Sequence, residues 1–252
     1  SGLAVNESAL SAAEWARQLR VPFRDIERQH ATFPKDTLLY FIDPITPTTG
    51  GLSGMFFLRY GRDMTVKNWT EYAGLRDHNV SYVYYFDEAR RPREILADRE
   101  AAPLVSPVLP VDYAAPIRLE ALQVASTTIR RGNPFVLLLY WRGMGSIDRR
   151  YTVFVHLLDR DGNLVAGYDS QPRKGQAPTT VWERGLLYAD AIVMPVGADV
   201  PLGSGYKIAV GLYDQQTQER LAVIDAQGQP VGDEITIESF TVVEQGADAA
   251  RP

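Results

Sequence analysis

The chain has 252 residues, 45% apolar and 23% charged, with 26 Lys plus Arg against 31 Asp plus Glu and a formal net charge of -5. That balance excludes general disorder and argues against a nucleic-acid partner, since domains that bind nucleic acid usually carry a basic footprint. With no Cys and three His, at positions 30, 78 and 156, thiolate metal sites, disulfides and cysteine nucleophiles are excluded, and neither a metal nor a cofactor is expected.

The length admits one large domain or two ordinary ones. The N-terminal stretch predicts a helix. Leu10, Ala13, Ala16, Leu19, Phe23 and Ile26 recur near the 3.6-residue period, and Asn6 or Ser8 can cap its start. Pro22 inside the pattern predicts a kink or two successive helices. Residues 37–42 (TLLYFI) form a continuous apolar run, as in a strand buried on both faces. Gly50 and Gly51 predict a loop opening a short helical or loop segment over 52–60. Residues 64–67 suggest a strand, 71–77 a helical turn, and 80–86 (VSYVYYF) a second clear strand. Helices alternating with buried strands predict a small α/β domain over 1–96 with a mainly parallel sheet.

Pro103, Pro107, Pro110 and Pro116 then fall in a stretch without helical periodicity, so 97–116 reads as an extended linker. Beyond it, strands are expected at 117–124, 134–141, 151–158, 163–168, 186–194, 205–213, 219–224 and 235–243. Their spacing by turn signals predicts an antiparallel β-sandwich over 117–245, immunoglobulin-like or jelly-roll-like. The fold class is therefore α+β in two domains. Asp161-Gly162 marks a tight hairpin, and Asp214 to Thr217 another turn. The tail, 246–252, is expected to be disordered. The longest apolar run, residues 135–141, is far short of the about 20 residues that span a bilayer. The start at Ser1-Gly2 reads as processing, excision from a longer chain or an added leader.

Three phrases in order, YTVFVHLLDRDGNLV (151–165), PTTVWERGLLYAD (178–190) and PLGSGYKIAVGLYDQQTQERL (201–221), carry a resemblance. The region resembles the C-terminal extramembrane part of bacterial many-spanning glycosyltransferases of the protein-O-mannosyltransferase-like family 39 group. The first half looks like the small extracytoplasmic domain that follows their last span. The resemblance implies a sandwich, an extracytoplasmic and membrane-tethered location, and a membrane-embedded glycosyltransferase portion as partner. The family's catalytic acidic residues lie in a loop between its first spans, which this sequence does not contain. No catalytic residue carries over, and the chain itself is expected to be non-catalytic.

Several residues are candidates for chemistry. Asp43 and Asp87 each follow a predicted buried strand, and in a parallel sheet both would reach the carboxyl edge, where open α/β folds bind ligands. There they could hold sugar hydroxyls or act as an acid/base pair; the plainer reading is that each caps a turn. Gly50 to Gly54 lacks the fifth-position Gly of a nucleophile elbow and the Lys of a phosphate loop. Asp159, Asp161 and Asn163 faintly resemble a calcium loop, with a plain hairpin ahead. Trp141, Tyr168, Trp182, Tyr188 and Tyr213 offer either a stacking platform for glycan rings or ordinary core filling. His156 and the clusters Arg149-Arg150 and Arg90 to Arg93 read as structural or solvated groups. The preferred function is a non-catalytic accessory domain pair that positions an acceptor or binds glycan. The alternatives are a stand-alone cell-surface module that binds carbohydrate or protein, and a glycan-active enzyme using Asp43 and Asp87.

Overall fold

The structure, a computed structural model, describes residues 12–42, 49–87, 89, 91–97 and 109–244. Asp43, Arg90, most of the predicted linker and the predicted tail lie outside the described residues. The chain divides into two compact units, residues 1–69 with 76–96, and residues 70–75 with 97–252.

The first unit runs α1 (Ala12–Gln29), β1 (Thr37–Phe41), α2 (Thr49–Tyr60), β2 (Met64–Asn68), β3 (Val80–Phe86) and β4 (Pro92–Leu96). The sheet order is β2-β1-β3-β4. The first three strands are parallel, and β4 returns antiparallel along β3. Every residue of β1 is buried, as a continuous apolar run requires. Leu39, Phe41, Val66, Tyr82 and Tyr84 share a core with Ile26 of α1 and Phe56 of α2.

Three expectations are corrected. Pro22 lies inside a single helix, not between two. The glycines at 50 and 51 belong to the first turn of α2, not to a loop before it. No helix forms over 71–77; residues 70–75 belong to the second unit, where the Ala73 N–H donates to the Tyr140 hydroxyl at 2.9 Å. The edge strand β4 escaped the sequence reading because it is short and polar and opens on Pro92, a position proline tolerates only at a strand start or edge.

The second unit holds two sheets. The six-stranded sheet has the order β11-β8-β6-β5-β13-β14, with β5 (Val111–Tyr113), β6 (Ile117–Val124), β8 (Phe135–Gly143), β11 (Leu187–Met194), β13 (Val223–Ile224) and β14 (Pro230–Gly232). The five-stranded sheet has the order β10-β9-β12-β15-β7, with β7 (Thr128–Arg130), β9 (Tyr151–Leu158), β10 (Leu164–Ser170), β12 (Gly203–Asp214) and β15 (Ile235–Val243). Leu119, Leu137, Leu139 and Trp141 of one sheet meet Val153, Val155, Ile208 and Val210 of the other in one core, so the two sheets form a sandwich.

Three departures stand out. Residues 111–113, expected in the linker, form β5, because Val111 and Tyr113 alternate into the core between Pro110 and Pro116. The β7–β15 pair is parallel, so the sandwich is not wholly antiparallel. The expected strand over 219–224 shrinks to β13.

Candidate functional site

Asp87 ends β3 and braces the turn into β4. Its Oδ1 accepts the Arg91 N–H at 2.9 Å, and its Oδ2 accepts the side chains of Arg93 at 3.0 Å and Arg91 at 3.3 Å. The Arg91 backbone N–H, ahead of the two guanidinium groups, holds the carboxyl below the usual carboxylate range. Asp43 lies outside the described residues, so the postulated carboxylate pair has one placed member, and that member is a turn brace.

The aromatic candidates are buried or half-buried. Trp141 is wholly buried in the sandwich core, and its indole N–H has no hydrogen-bond partner there. Trp182 is buried as well and donates to the Ala177 carbonyl at 2.9 Å. Tyr188 stacks on Trp182, with ring centroids 4.9 Å apart and planes 9° from parallel, and the Arg173 guanidinium lies over its ring at 5.9 Å. Tyr168, opposite Val155, is half-buried against the core. Tyr213 stacks on Phe154 at 6.5 Å. These rings are spent on packing within the protein.

The two hairpin turns are held by local carboxylates. Asp159 Oδ1 accepts the N–H groups of Asp161 and Asn163 at 2.9 and 2.8 Å, and Gly162 takes a positive φ of 86°. Its carboxylate is thus occupied in turn formation, in place of the calcium loop weighed above. Asp214 Oδ1 accepts from Gln216 and Thr217, while its Oδ2 accepts from Arg149 at 2.9 Å.

The constellation that the structure does assemble lies on the outer face of the five-stranded sheet. Tyr206, Ile208, Val210 and Leu212 of β12 point into the core, so Lys207, Ala209, Gly211 and Tyr213 point out. On β15 the core residues are Ile235, Ile237, Phe240 and Val242. The step from 237 to 240 is three residues where a regular strand needs two. The extra residue is absorbed at Ser239, a non-glycine at φ 79°, and the β12–β15 register shifts on both sides of Tyr206. This irregular pairing opens a cleft of about 370 Å³, lined by Ser204, Lys207, Glu238, Ser239 and Thr241, with backbone from Gly205 and Phe240. The Lys207 ammonium meets the Glu238 carboxylate across it at 2.7 Å.

Further along the same face, Ala209 lies opposite His156 and Gly211 opposite Phe154. The His156 Nε2 sits 3.0 Å from Asp169 Oδ1. Tyr213 bonds to Thr152 and Asp169; burial first, then the Asp169 charge, pushes its hydroxyl pKa up. Phe154 is buried despite facing outward. Gly211 leaves room for its ring, and the Arg220 guanidinium covers it at 4.4 Å. The sequence reading noticed His156 and Tyr213 but missed Ser204, Lys207, Glu238, Ser239 and Thr241. The available signals were Gly203 and Gly205 flanking Ser204 in a strand pattern, which mark a bulge, and the broken alternation of β15.

Among the described residues no helix is long and apolar enough to cross a membrane, and no group of three or more His, Asp or Glu gathers as a metal site. No protein-family model and no curated protein matches the chain. Among solved structures, the chain is similar to the C-terminal domain of Wzt, with 15% identity and a TM-score of 0.36 over 54% of this chain and 78% of that one. It is also similar to a β-glucuronidase from glycoside hydrolase family 2, with 9% identity and a TM-score of 0.27 over 42% of this chain. The aligned part spans 13% of the glucuronidase. Likenesses this loose carry no argument about ligand or activity, and none of these comparisons shows the family 39 group.

Proposed function

We propose that the chain is a non-catalytic, extracytoplasmic accessory module of a membrane glycosyltransferase, and that its sandwich holds a glycan in the outer-face cleft. The observation that carries this reading is the chemistry of the cleft: three hydroxyl side chains, Ser204, Ser239 and Thr241, around the Lys207–Glu238 pair. Hydroxyls donate and accept at once, an ammonium donates and a carboxylate accepts. That mixture matches the hydroxyls of a sugar, which also do both. A site on two packed strands is rigid, which limits the entropy lost on binding.

The membrane context is supported by the three sequence phrases. The stand-alone surface module is the alternative within the same chemistry, and an upstream membrane-spanning stretch in the coding sequence separates the two. The enzyme alternative is less well supported, since the Asp87 carboxylate is occupied by Arg91 and Arg93.

The direct test is a broad glycan array with the full chain, repeated with Lys207→Ala and Glu238→Ala. Retention on at least one glycan class is expected, falling at least about fivefold in each variant. Both side chains are well exposed, so each variant should keep its stability within about 0.5 kcal/mol. Silence of the wild-type chain across the array sinks the glycan reading.

A further inference from the structure

We infer that the glycan held in this cleft is uncharged and that the outer face discriminates against acidic glycans; the inference rests on the glycan reading above. A uronate or sulfate group entering the cleft loses hydration, and only an unspent cation offsets that loss. The one cation lining the cleft, Lys207, is already neutralised by Glu238 at 2.7 Å. Arg220, farther along the face, is held by Glu234 at 2.8 Å and Asp233 at 3.4 Å. Arg160 has its Cβ near Gly205, but it sits between Asp159 and Asp161 in the hairpin turn. Asp169 adds a further carboxylate on the same side, beside His156. These three cations therefore stand among six carboxylates, and Arg130, which the alternation of β7 also turns outward beside β15, leaves the balance negative. An approaching anion meets a net negative field, whereas a neutral diol meets donors and acceptors already poised.

The test is a comparison of two oligosaccharides of the same linkage and length, one neutral and one whose hydroxymethyl groups are oxidised to carboxylates. Binding of each to the full chain is measured by calorimetry. The neutral form is expected to bind about tenfold more tightly at low salt, with an affinity nearly flat from about 0.05 to 0.5 M salt, because no net charge is being matched. Glu238→Gln releases the Lys207 charge and should narrow the gap about threefold, by strengthening the acidic ligand relative to the neutral one. Asp169→Asn, away from the cleft lining, should narrow it less. Equal or tighter binding of the acidic form overturns the inference and leaves the glycan reading standing. Binding of neither form, with a silent array, removes both.

Discussion

Two polar clusters, one in each unit, are built in opposite ways. In the first, a polar cluster is enclosed. The Glu94 carboxylate on β4 accepts from the Tyr84 hydroxyl at 2.7 Å and pairs with His30, just past α1. Phe33 stacks on the His30 ring at 4.6 Å, Tyr82 meets it edge-on at 4.9 Å, and the Tyr60 hydroxyl donates to the His30 carbonyl. The His30 and Glu94 side chains are only 10% and 14% exposed, and burial leads the causes that push the Tyr84 pKa up. In the sandwich, the Lys207–Glu238 pair stands outside on a sheet face, with the two side chains 38% and 64% exposed. An enclosed network ties a helix end to an edge strand and serves stability. An open one contributes little to stability and remains available to a ligand.

Removing the enclosed carboxylate should have the largest effect. Glu94→Ala leaves the Tyr84 hydroxyl and the His30 ring without their acceptor, and a loss of about 2–3 kcal/mol is expected in denaturant titrations. A change below about 0.5 kcal/mol would erase the contrast with Lys207→Ala. Next is Gly211→Ala. A Cβ there would lie 2.4 Å from the Phe154 ring and 2.9 Å from the Asp233 carbonyl, both held by packing. The expected cost is about 1–3 kcal/mol, read from the thermal midpoint, and it would show that the outer face is closed by packing wherever it is not polar.

The smallest effect concerns pH. The Gln216 N–H, then Arg149 and Thr217, hold the Asp214 carboxyl below the usual range. A lowered folded-state pKa stabilises the fold above the unfolded value of about 3.9, and that contribution is lost as pH falls through the folded-state value. Asp214→Asn should therefore lower the thermal midpoint modestly at pH 7, leave it nearly unchanged well below about pH 4, and so flatten the decline between the two. An unchanged acid slope would mean that the turn carboxylates do not set the sandwich's acid limit.

Much of the fold is written locally. The run TLLYF is β1, VSYVYYF is β3, and the segments 117–124, 151–158 and 235–243 coincide with β6, β9 and β15. Period and apolarity suffice there, because a buried strand must be apolar on each covered face. The short strands β4, β5, β7 and β14 were not legible. Three to five residues carry no period, and they exist because a neighbouring strand offers its hydrogen bonds. The hairpin at Asp161-Gly162 was legible for the opposite reason: positive φ is a property of the residue itself.

The candidate site divides along the same line. Residue type alone singled out Trp141, Trp182 and Tyr188, and packing buried or stacked them. Ser204 and Lys207 lie more than thirty residues from Glu238, Ser239 and Thr241 in the chain. Only the pairing of β12 with β15, and the bulge that resolves the 237-to-240 spacing, puts them around one cleft. The sequence determined by itself where the longer strands and the tight turns lie, since those depend on each residue's backbone preference and apolarity. The tertiary structure decided which polar side chains meet, since a meeting depends on strand order and register, which no local stretch contains.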